Sequence, residues 1–304
     1  MGNYDYSIND CDVIDKPALT LFRQHRDKWL EMLKGPDVHA IWTSIYKMHW
    51  NDVVYRLLNY MKKLVEEKPH PDVGFNSTFI SLIDSGFTIN QAMAIRRLTD
   101  KIYVSGREVV SLARLLREIK ENKILFTREI YVCFDGPHYD PAQDKDMLGI
   151  IQEAHKNFDR LCDNTHGNRT RWDRLSFKCI EKCERMLTVC EPVQTFVNKF
   201  LAHAADPVTR KSLSPSQSGL TLKKLEDCYK AIYRVTNFIS GILLREPASA
   251  PVPIPQFNQF KNIEKRWLLP EHSDLAKDFW DKRVKQMEKW VDDIWPDSLE
   301  GTGS

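Results

Sequence analysis

The sequence predicts an all-α protein, and three observations lead to this fold class. Glycine is scarce, with 12 residues in 304, while leucine, lysine, glutamate and arginine are plentiful, a composition that favours long helices over tightly turned sheets. Apolar residues recur at helical spacing through most of the chain. The short apolar run 130–134 fits a strand, but no partner strand is evident, and we therefore expect it to be helical.

The overall composition is that of a globular protein, with 42% hydrophobic and 28% charged residues. No segment approaches the roughly 18 apolar residues that cross a bilayer, and residues 1–5 do not resemble a signal peptide. Seven cysteines, an odd number, indicate reduced thiols. We therefore expect a cytoplasmic protein without a membrane partner. The net charge of +2 is too small to indicate a nucleic-acid partner unless basic residues cluster locally.

The first two predicted helices form a hairpin. Helical periodicity runs over 18–33 and 38–66 and is broken at Gly35-Pro36. Lys68-Pro69 ends the second helix, because proline disfavours helix in the residue before it. Residues 1–70 are therefore expected to form an N-terminal helical extension.

The central part of the chain, 71–246, has the pattern of a helical bundle. Two capping boxes predict helix starts there. Thr88 and Ser105 can each cap a helix with their hydroxyl, and the side chain three residues later can return the hydrogen bond. Together with the later stretches of helical periodicity, the predicted helices are 90–101, 107–122, 144–161, 171–190, 192–205 and 222–244.

The last part of the chain differs in composition. The proline-rich stretch 247–255 predicts a stiff, extended linker. Residues 256–304 are rich in tryptophan, with Trp267, Trp280, Trp290 and Trp295. We expect this C-terminal segment to be helical and to pack on the body of the protein, because such large rings are usually buried.

The helix predicted over 192–205 carries the residues best suited to chemistry. Its apolar stripe consists of Val193, Phe196, Val197, Phe200, Leu201 and Ala204. Lys199 and His203 lie at the edge of this stripe, four residues apart, and Asn198 precedes them. A lone histidine near a helix end is in most proteins a surface or core-edge residue, so the spacing alone does not define a site.

The motif Val197-Asn198-Lys199-Phe200-Leu201-Ala202-His203, followed by a loop and a helix that begins at 220–222, resembles the signature helix of the HEPN superfamily. More narrowly, it is similar to the abortive-infection U branch. The stretches 94–100 and 110–116 are similar to that branch as well. The resemblance spans about 20–245 loosely, and its specific part is the seven-residue motif.

This resemblance implies a HEPN-like helical bundle and a metal-independent ribonuclease of phage-defence or toxin type, without a cofactor. In such an enzyme the 2′-OH of RNA attacks the adjacent phosphate. His203 would act as general acid and base, Lys199 would stabilise charge on the phosphate, and Asn198 would position an oxygen. The resemblance also implies a homodimer in which two signature helices build one cleft, and a cognate antitoxin or defence-system protein as a partner.

One position departs from the family pattern. The family has an arginine directly before the polar residue, where this chain has Val197. Arg96 or Arg97 would have to supply the guanidinium from another helix, and only one of the two can face inward because consecutive helical residues point about 100° apart. A second hypothesis therefore stays open, namely a catalytically inactive HEPN-like module that binds RNA or a partner protein.

Basic residues also recur in the helix predicted over 171–190. They are Arg171, Arg174, Lys178, Lys182 and Arg185. The first four, with Arg96 and Arg97, are the candidates for contacts with RNA phosphates. Glutamates interrupt this stripe, and such a stripe is usually the solvated face of an amphipathic helix. The three cysteines of the same helix share a face with leucine and methionine, so we expect core packing and no metal site.

Overall fold

The computed structural model describes residues 4–70, 72–101, 109–141, 149–162, 168–202, 219–247, 250–252, 256–265 and 270–288. Within these ranges the protein is helical and no strands pair into a sheet, so the all-α prediction is confirmed. In chain order the α-helices are α1 (Lys16–Lys34), α2 (Ile41–Glu67), α3 (Ser77–Leu98), α4 (Leu112–Glu121), α5 (Arg128–Cys133), α6 (Ile150–Leu161), α7 (Phe177–Leu187), α8 (Glu191–Phe196), α9 (Leu222–Asn237) and α10 (Ser273–Glu288).

The first two helices have bounds close to the predicted ones. α1 begins behind Asp15, whose side chain accepts a hydrogen bond from the N–H of Ala18 at 2.9 Å and so satisfies one free donor of the first turn. α2 is about 40 Å long at 1.5 Å per residue. Its buried residues all lie between Ile41 and Met48, and further along the helix Tyr55 packs against the core by stacking on Phe87, with ring centroids 3.8 Å apart.

Helix α3 is longer than predicted. It begins behind Asn76, whose side-chain oxygen accepts hydrogen bonds from two N–H groups of the first turn. The predicted start near residue 90 is wrong, because Thr88 lies inside the helix and its hydroxyl donates to the carbonyl of Asp84 at 2.9 Å. A threonine can bond in this way to the preceding turn. The capping box at Ser105 lies outside the described residues.

Residues 130–133 of the run 130–134 belong to helix α5, as predicted, and Phe134 caps the helix. Arg128, in the first turn of α5, is fully buried. Its guanidinium pairs with Asp159 of α6 at 2.9 Å and with Asp173, upstream of α7, at 2.8 Å. Because a buried charge requires such partners, Arg128 joins α5, α6 and the segment before α7.

The helix predicted over 171–190 is wrong at its start. α7 begins six residues later, behind Ser176, whose hydroxyl accepts a hydrogen bond from the N–H of Lys178 at 3.3 Å. Arg174 instead forms an isolated β-bridge with the residue before α5, and Arg171 lies upstream in the same non-helical segment. The predicted basic stripe therefore does not lie on one helix face, and only its members from Lys178 onward belong to α7.

Two helices change from α to π geometry at their carboxyl ends. α8 continues as a π-helical turn over Val197–Ala202, and α9 continues as one over Phe238–Leu243. In a π-helix the hydrogen bonds join residues five apart, and such turns are frequent at functional sites. The prediction of a regular α-helix over 192–205 is therefore wrong from residue 197 to residue 202.

The chain divides into two compact units, Met1–Pro253 and Ile254–Ser304. The first unit contains the hairpin, the remaining helices through α9 and one hydrophobic core that includes Trp29 and Trp42. The second contains α10 and a short 3-10 turn over Pro270–His272. The packing of the Trp-rich segment on the body stays a prediction. Among the described helices, none combines the length and apolar character of a membrane span.

Candidate functional site

The carboxyl end of α3 lies against α8, and these two helices hold several candidate residues. Gln194 of α8 donates its side-chain amide to the carbonyl oxygen and to the hydroxyl of Thr99, over 2.9 and 2.6 Å. Thr99 is the residue that caps α3. Lys101 and Glu191 form an exposed ion pair across the same contact, at 3.0 Å. These contacts fix which turn of α3 faces which turn of α8.

Arg96 and Asn198 meet one turn further along this contact. The Nε group of Arg96 donates a hydrogen bond to Oδ1 of Asn198 over 2.9 Å. Arg96 is half-buried and Asn198 is exposed, so the pair lies at the protein surface. A guanidinium has five N–H donors, and this bond uses one of them. The fold thus brings a guanidinium from another helix to the candidate amide.

Val197 occupies the position at which the family pattern has its arginine. Its side chain is 0% exposed and belongs to the hydrophobic core. A guanidinium placed there would be buried among apolar groups, at a high cost in free energy. On the same turn, Phe200 stacks on Phe196 with ring centroids 4.9 Å apart. The apolar side of the π turn is therefore anchored, while Asn198 is exposed.

The two other candidate catalytic residues differ in how far the structure describes them. Lys199 is half-buried on the same π turn. His203 lies outside the described residues, so its position relative to Asn198 stays a prediction. The expected adjacency of Lys199 and His203 assumes α-helical spacing, which the backbone does not follow through Ala202.

Arg97 points towards a different helix from Arg96. Its Nη2 donates to Oγ of Ser44 over 2.8 Å, and its Nη1 lies 2.7 Å from Nδ1 of His39. Burial lowers the pKa of Arg97. Arg97 thus joins α3 to the start of α2, and Arg96 is the one of the two that contacts Asn198, consistent with their 100° separation.

Arg171 belongs to a network inside the fold. Its guanidinium donates to the carbonyl and the carboxylate of Asp12, over 3.0 and 2.9 Å, and lies 3.5 Å from Glu129. It also lies over the ring of Tyr139, 4.2 Å from the centroid. Burial acts to lower the pKa of Arg171, but the hydrogen bond to Asp12 and the nearby charges, chiefly those of Asp12 and Glu129, together raise it. The donors of Arg171 are therefore engaged in holding the N-terminal segment to the bundle.

The remaining candidates for RNA contacts lie around the start of α7. Arg174 and Lys178 line a cleft of about 510 Å³, together with Lys123 and Phe177. The Nζ group of Lys123 lies 3.6 Å from the centroid of the Phe177 ring. Lys182 is exposed further along α7, away from the described lining of this cleft.

A second cleft, of about 650 Å³, lies between α4 and α7 and was not predicted. Thr99 and Gln194 line it, and these residues lie one turn from Arg96 and Asn198. Its charged lining residues are Lys101, Arg117, Lys120, Glu181, Glu184 and Arg185. Glu181 also lines the first cleft, so the two clefts adjoin. We refer to them together as the basic clefts.

The segments around the basic clefts are more positively charged than the rest of the chain. Residues 112–125 and 171–187 contain nine Lys or Arg and five Asp or Glu, a net charge of +4, whereas the whole chain has +2. The rest of the chain is therefore net negative. The sequence signal for this face was the pair Arg117 and Lys120, three residues apart on one side of α4.

The cysteines behave as core residues. Cys183 and Cys190 are buried, and burial raises the pKa of the Cys183 thiol to about 12. Such a thiol stays protonated and is a poor nucleophile or metal ligand. Across the described ranges no group of three or more His, Cys, Asp or Glu residues is arranged to hold a metal ion.

Comparisons of the chain with protein-family models, with curated proteins and with solved structures find no match. The protein is thus described by its own structure: an all-α chain with a guanidinium–amide pair at its surface, next to the basic clefts.

Proposed function

We propose that the protein cleaves RNA at the Arg96–Asn198 pair, with His203 as general acid and base. The hydrogen bond of 2.9 Å between Arg96 and Asn198 carries this proposal, because it supplies the guanidinium that Val197 does not. In the family pattern the arginine and the polar residue are neighbours in sequence. In this chain they are neighbours in space.

The proposed reaction proceeds by attack within the RNA strand. His203 takes the proton of a ribose 2′-OH, and the 2′-oxygen forms a bond to the adjacent phosphorus. The bond from phosphorus to the 5′-oxygen breaks, and the protonated His203 returns its proton to that oxygen, leaving a 2′,3′-cyclic phosphate, a 5′-hydroxyl and a neutral His203. Arg96 and Lys199 stabilise the charge that builds on the phosphate oxygens, and Asn198 orients one of them.

The basic clefts support a nucleic acid as the substrate. A polyanion gains affinity where cations cluster, and the excess positive charge of this chain lies on residues 112–125 and 171–187. The larger cleft reaches the turn next to Arg96 and Asn198. Contacts of this kind hold phosphates and do not read base sequence, so we propose that the clefts position the strand for cleavage.

A second candidate function is RNA binding without cleavage. The burial of Val197 favours it, because the arginine of the family pattern is absent from the signature turn itself while basic residues line both clefts. The phage-defence or toxin role, the cytoplasmic location, the homodimer and a cognate antitoxin or defence-system partner are parts of the same proposal.

Incubation of the full-length protein with end-labelled RNA in the presence of a chelator tests the proposal. We expect fragments with cyclic phosphate ends, and we expect His203→Ala to lower the cleavage rate by about 10²- to 10⁴-fold, the range for loss of a general acid or base. His70→Ala, at an exposed histidine, is the matched control and should leave the rate unchanged. RNA binding without fragments in the wild type would favour the second function. Equal rates in wild type and His203→Ala would refute the catalytic role of His203.

A further inference from the structure

The smaller of the basic clefts, of about 510 Å³, is built by two segments that meet beside α7. One is the 3-10 turn Lys123–Leu125, which follows α4, and the other is the stretch 174–176 before α7. The N–H of Leu175 donates to the carbonyl of Phe126 over 3.1 Å, and Arg174 forms a backbone bridge with the residue before α5. These contacts hold the walls of the cleft in place before a ligand binds, and such preorganisation favours binding.

Cations outnumber carboxylates in the smaller cleft. Among its described lining residues are three cations, Lys123, Arg174 and Lys178, and one carboxylate, that of Glu181, which gives a net charge of +2. Lys123 and Arg174 are exposed, and within the described part of the chain no carboxylate forms an ion pair with either of them. At least two cations of the cleft are therefore available to an anion from outside.

The larger cleft, of about 650 Å³, differs in this respect. Two of its lysines already have carboxylate partners. Lys120 pairs with Glu184 at 3.2 Å. Lys101 pairs with Glu191 at 3.0 Å. An anion that enters the larger cleft competes with these carboxylates, so the smaller cleft is the better site for a group with more than one negative charge.

The charge of a terminal phosphate matches the smaller cleft. A phosphate monoester carries about −1.5 to −2 at neutral pH, whereas a diester inside a strand carries about −1. The monoester also has three strong acceptor oxygens. Arg174 offers the planar fork that binds two phosphate oxygens at once, and Lys123 and Lys178 offer compact positive charges. The cleft therefore favours the end of a strand over its interior.

The rest of the lining suits the nucleoside next to that phosphate. Ile124 is 62% exposed, and the half-buried ring of Phe177 has the ammonium group of Lys123 3.6 Å from its centroid. A base can pack against such apolar groups. Glu181 repels a phosphate but can accept a hydrogen bond from a ribose hydroxyl. Because Glu181 also lines the larger cleft, a strand held by its terminal phosphate can continue into that cleft.

We infer that the smaller cleft binds a phosphate monoester at the end of an RNA strand. The inference deepens the proposed function and rests on it, because it takes RNA as the ligand. Phe177 in the smaller cleft and Leu187 in the larger one are ten residues apart on α7, which is about 15 Å. An end held in the smaller cleft therefore places cleavage at a set distance from that end. The new ends, a cyclic phosphate and a 5′-hydroxyl, carry no monoester and do not fit the cleft.

Binding of a short RNA with and without a terminal phosphate tests the inference. The probe is a 2′-O-methyl RNA, which has no 2′-OH to attack the phosphate and so stays intact. It is made with a 5′-phosphate, with a 3′-phosphate, and with hydroxyls at both ends. The full-length protein should bind at least one phosphorylated form about 10- to 100-fold more tightly than the hydroxyl form, the range for charge-assisted hydrogen bonds. Equal affinities for all three forms would overturn the inference.

Variants of the cleft locate the site of this preference. Arg174→Ala and Lys123→Ala should each remove most of it and leave the circular dichroism spectrum unchanged, because both side chains are exposed. Lys182→Ala is the matched control, since Lys182 is exposed on α7 outside the described lining of both clefts. It removes the same charge as Lys123→Ala and should keep the preference. Equal losses in these two lysine variants would overturn the inference, because they would assign the preference to general charge attraction.

Adenosine 5′-monophosphate and inorganic phosphate separate a strand end from a free ligand. As competitors they should displace the phosphorylated RNA at least ~10-fold less well than the same RNA without a label, because they lack the contacts of the following nucleotides. If either competes as well as the RNA, the cleft takes a free phosphate compound and the inference is wrong.

Cleavage of ordinary RNA separates the two proposals. A wild type that prefers phosphorylated ends but yields no fragments supports the assignment of the cleft and refutes cleavage. Fragments from a wild type without this preference refute the assignment of the cleft alone. With both proposals correct, the cleavage sites lie at a set distance from the phosphorylated end, and removal of that phosphate makes them scatter.

Discussion

The two π-helical turns of this protein have the same backbone geometry and different surroundings. The turn over Phe238–Leu243 lies in the core, and its polar groups bond within the fold. The hydroxyl of Tyr131 donates to the carbonyl of Ile242 over 2.6 Å. Just beyond the turn, Nε of Arg26 donates to the carbonyl of Leu244 over 3.0 Å. The carbonyl groups at this turn therefore accept their hydrogen bonds from side chains of the protein itself.

The turn over Val197–Ala202 is buried on one side and exposed to solvent on the other. We call it the open turn, and we call the turn over Phe238–Leu243 the closed turn. Val197 lies in the core, while Asn198 is exposed and accepts its hydrogen bond from Arg96 at the surface. The two turns thus share a backbone geometry and differ in whether their polar groups are bonded inside the fold or exposed at its surface. Variants at the two turns should therefore have opposite effects.

The largest effect is expected at the open turn. Arg96→Ala should lower the rate of RNA cleavage by about 10²- to 10³-fold, the range for loss of one preorganised donor to a developing charge. The free energy of unfolding should change by less than about 1 kcal/mol, since the lost bond lies at the surface. Cleavage assays and urea denaturation of the same preparation check both values.

Arg56→Ala is the control, because Arg56 is a partly exposed arginine paired with Asp52 on α2. This variant should change neither the rate of RNA cleavage nor the free energy of unfolding by much. Arg96→Lys keeps the charge but not the planar guanidinium, and most of the loss should persist. If Arg96→Ala instead unfolds the protein with its activity per folded molecule unchanged, the open turn is structural like the closed one.

The closed turn should show the reverse pattern. Arg26 is 8% exposed in its side chain and joins the carbonyl of Leu244 to Glu246 at 3.3 Å. Arg26→Ala should lower the free energy of unfolding by about 3 kcal/mol, because it leaves the buried carbonyl of Leu244 without its donor and removes the more buried of the two cations that pair with Glu246. Cleavage per folded molecule should not change. Urea denaturation followed by circular dichroism measures the first value.

Lys34→Ala gives a matched control for Arg26→Ala. Lys34 pairs with the same Glu246 at 3.1 Å but is more exposed, so its loss should cost less than about 1 kcal/mol. Equal losses in the two variants would show that the burial of Arg26 does not stabilise the closed turn.

The smallest effect is a loss of folding stability at acidic pH, which arises where His49 contacts helix α9. The ring of His49 packs against Tyr229 and Tyr233 of α9, and its Nδ1 lies 2.8 Å from the carbonyl of Pro251. Burial lowers the pKa of His49 in the folded chain, while the unfolded chain titrates near 6.5. The unfolded state therefore binds the proton more readily, and stability should fall as the pH drops below about 6.5.

His49→Asn keeps an N–H for the carbonyl of Pro251 but does not titrate. The free energy of unfolding, measured by urea denaturation between pH 7.5 and pH 5.5 as rough limits around the histidine range, should fall less in this variant than in the wild type. Identical pH profiles would show that His49 does not link acid to the stability of α9.

Helix ends with strong local signals were predictable from the sequence. The bounds of α1 and α2 follow from Gly35-Pro36 and Lys68-Pro69, because proline acts on its immediate neighbours. The start of α3 was not predictable in this way. Thr88 has the spacing of a capping residue but bonds inside the helix, whereas the true cap, Asn76, lacks the second half of a capping box.

The candidate site could be predicted only in part. The resemblance makes Asn198 a candidate, and with valine at position 197 it implies a guanidinium from elsewhere in the fold. The partner, Arg96, lies 102 residues away in sequence, and their contact depends on how α3 packs against α8. The π turn was missed because an apolar stripe on one helix side has nearly the same spacing in α and π geometry over a single turn.

The burial of Val197 limits how sequences of this kind can evolve. Arginine at position 197 would place an unpaired charge in the core, at a cost of several kcal/mol out of a total stability of about 5–15 kcal/mol. Arg96 lies where a guanidinium reaches both its partner and water. A guanidinium at position 96 therefore reaches the surface of the π turn without the cost that position 197 would impose.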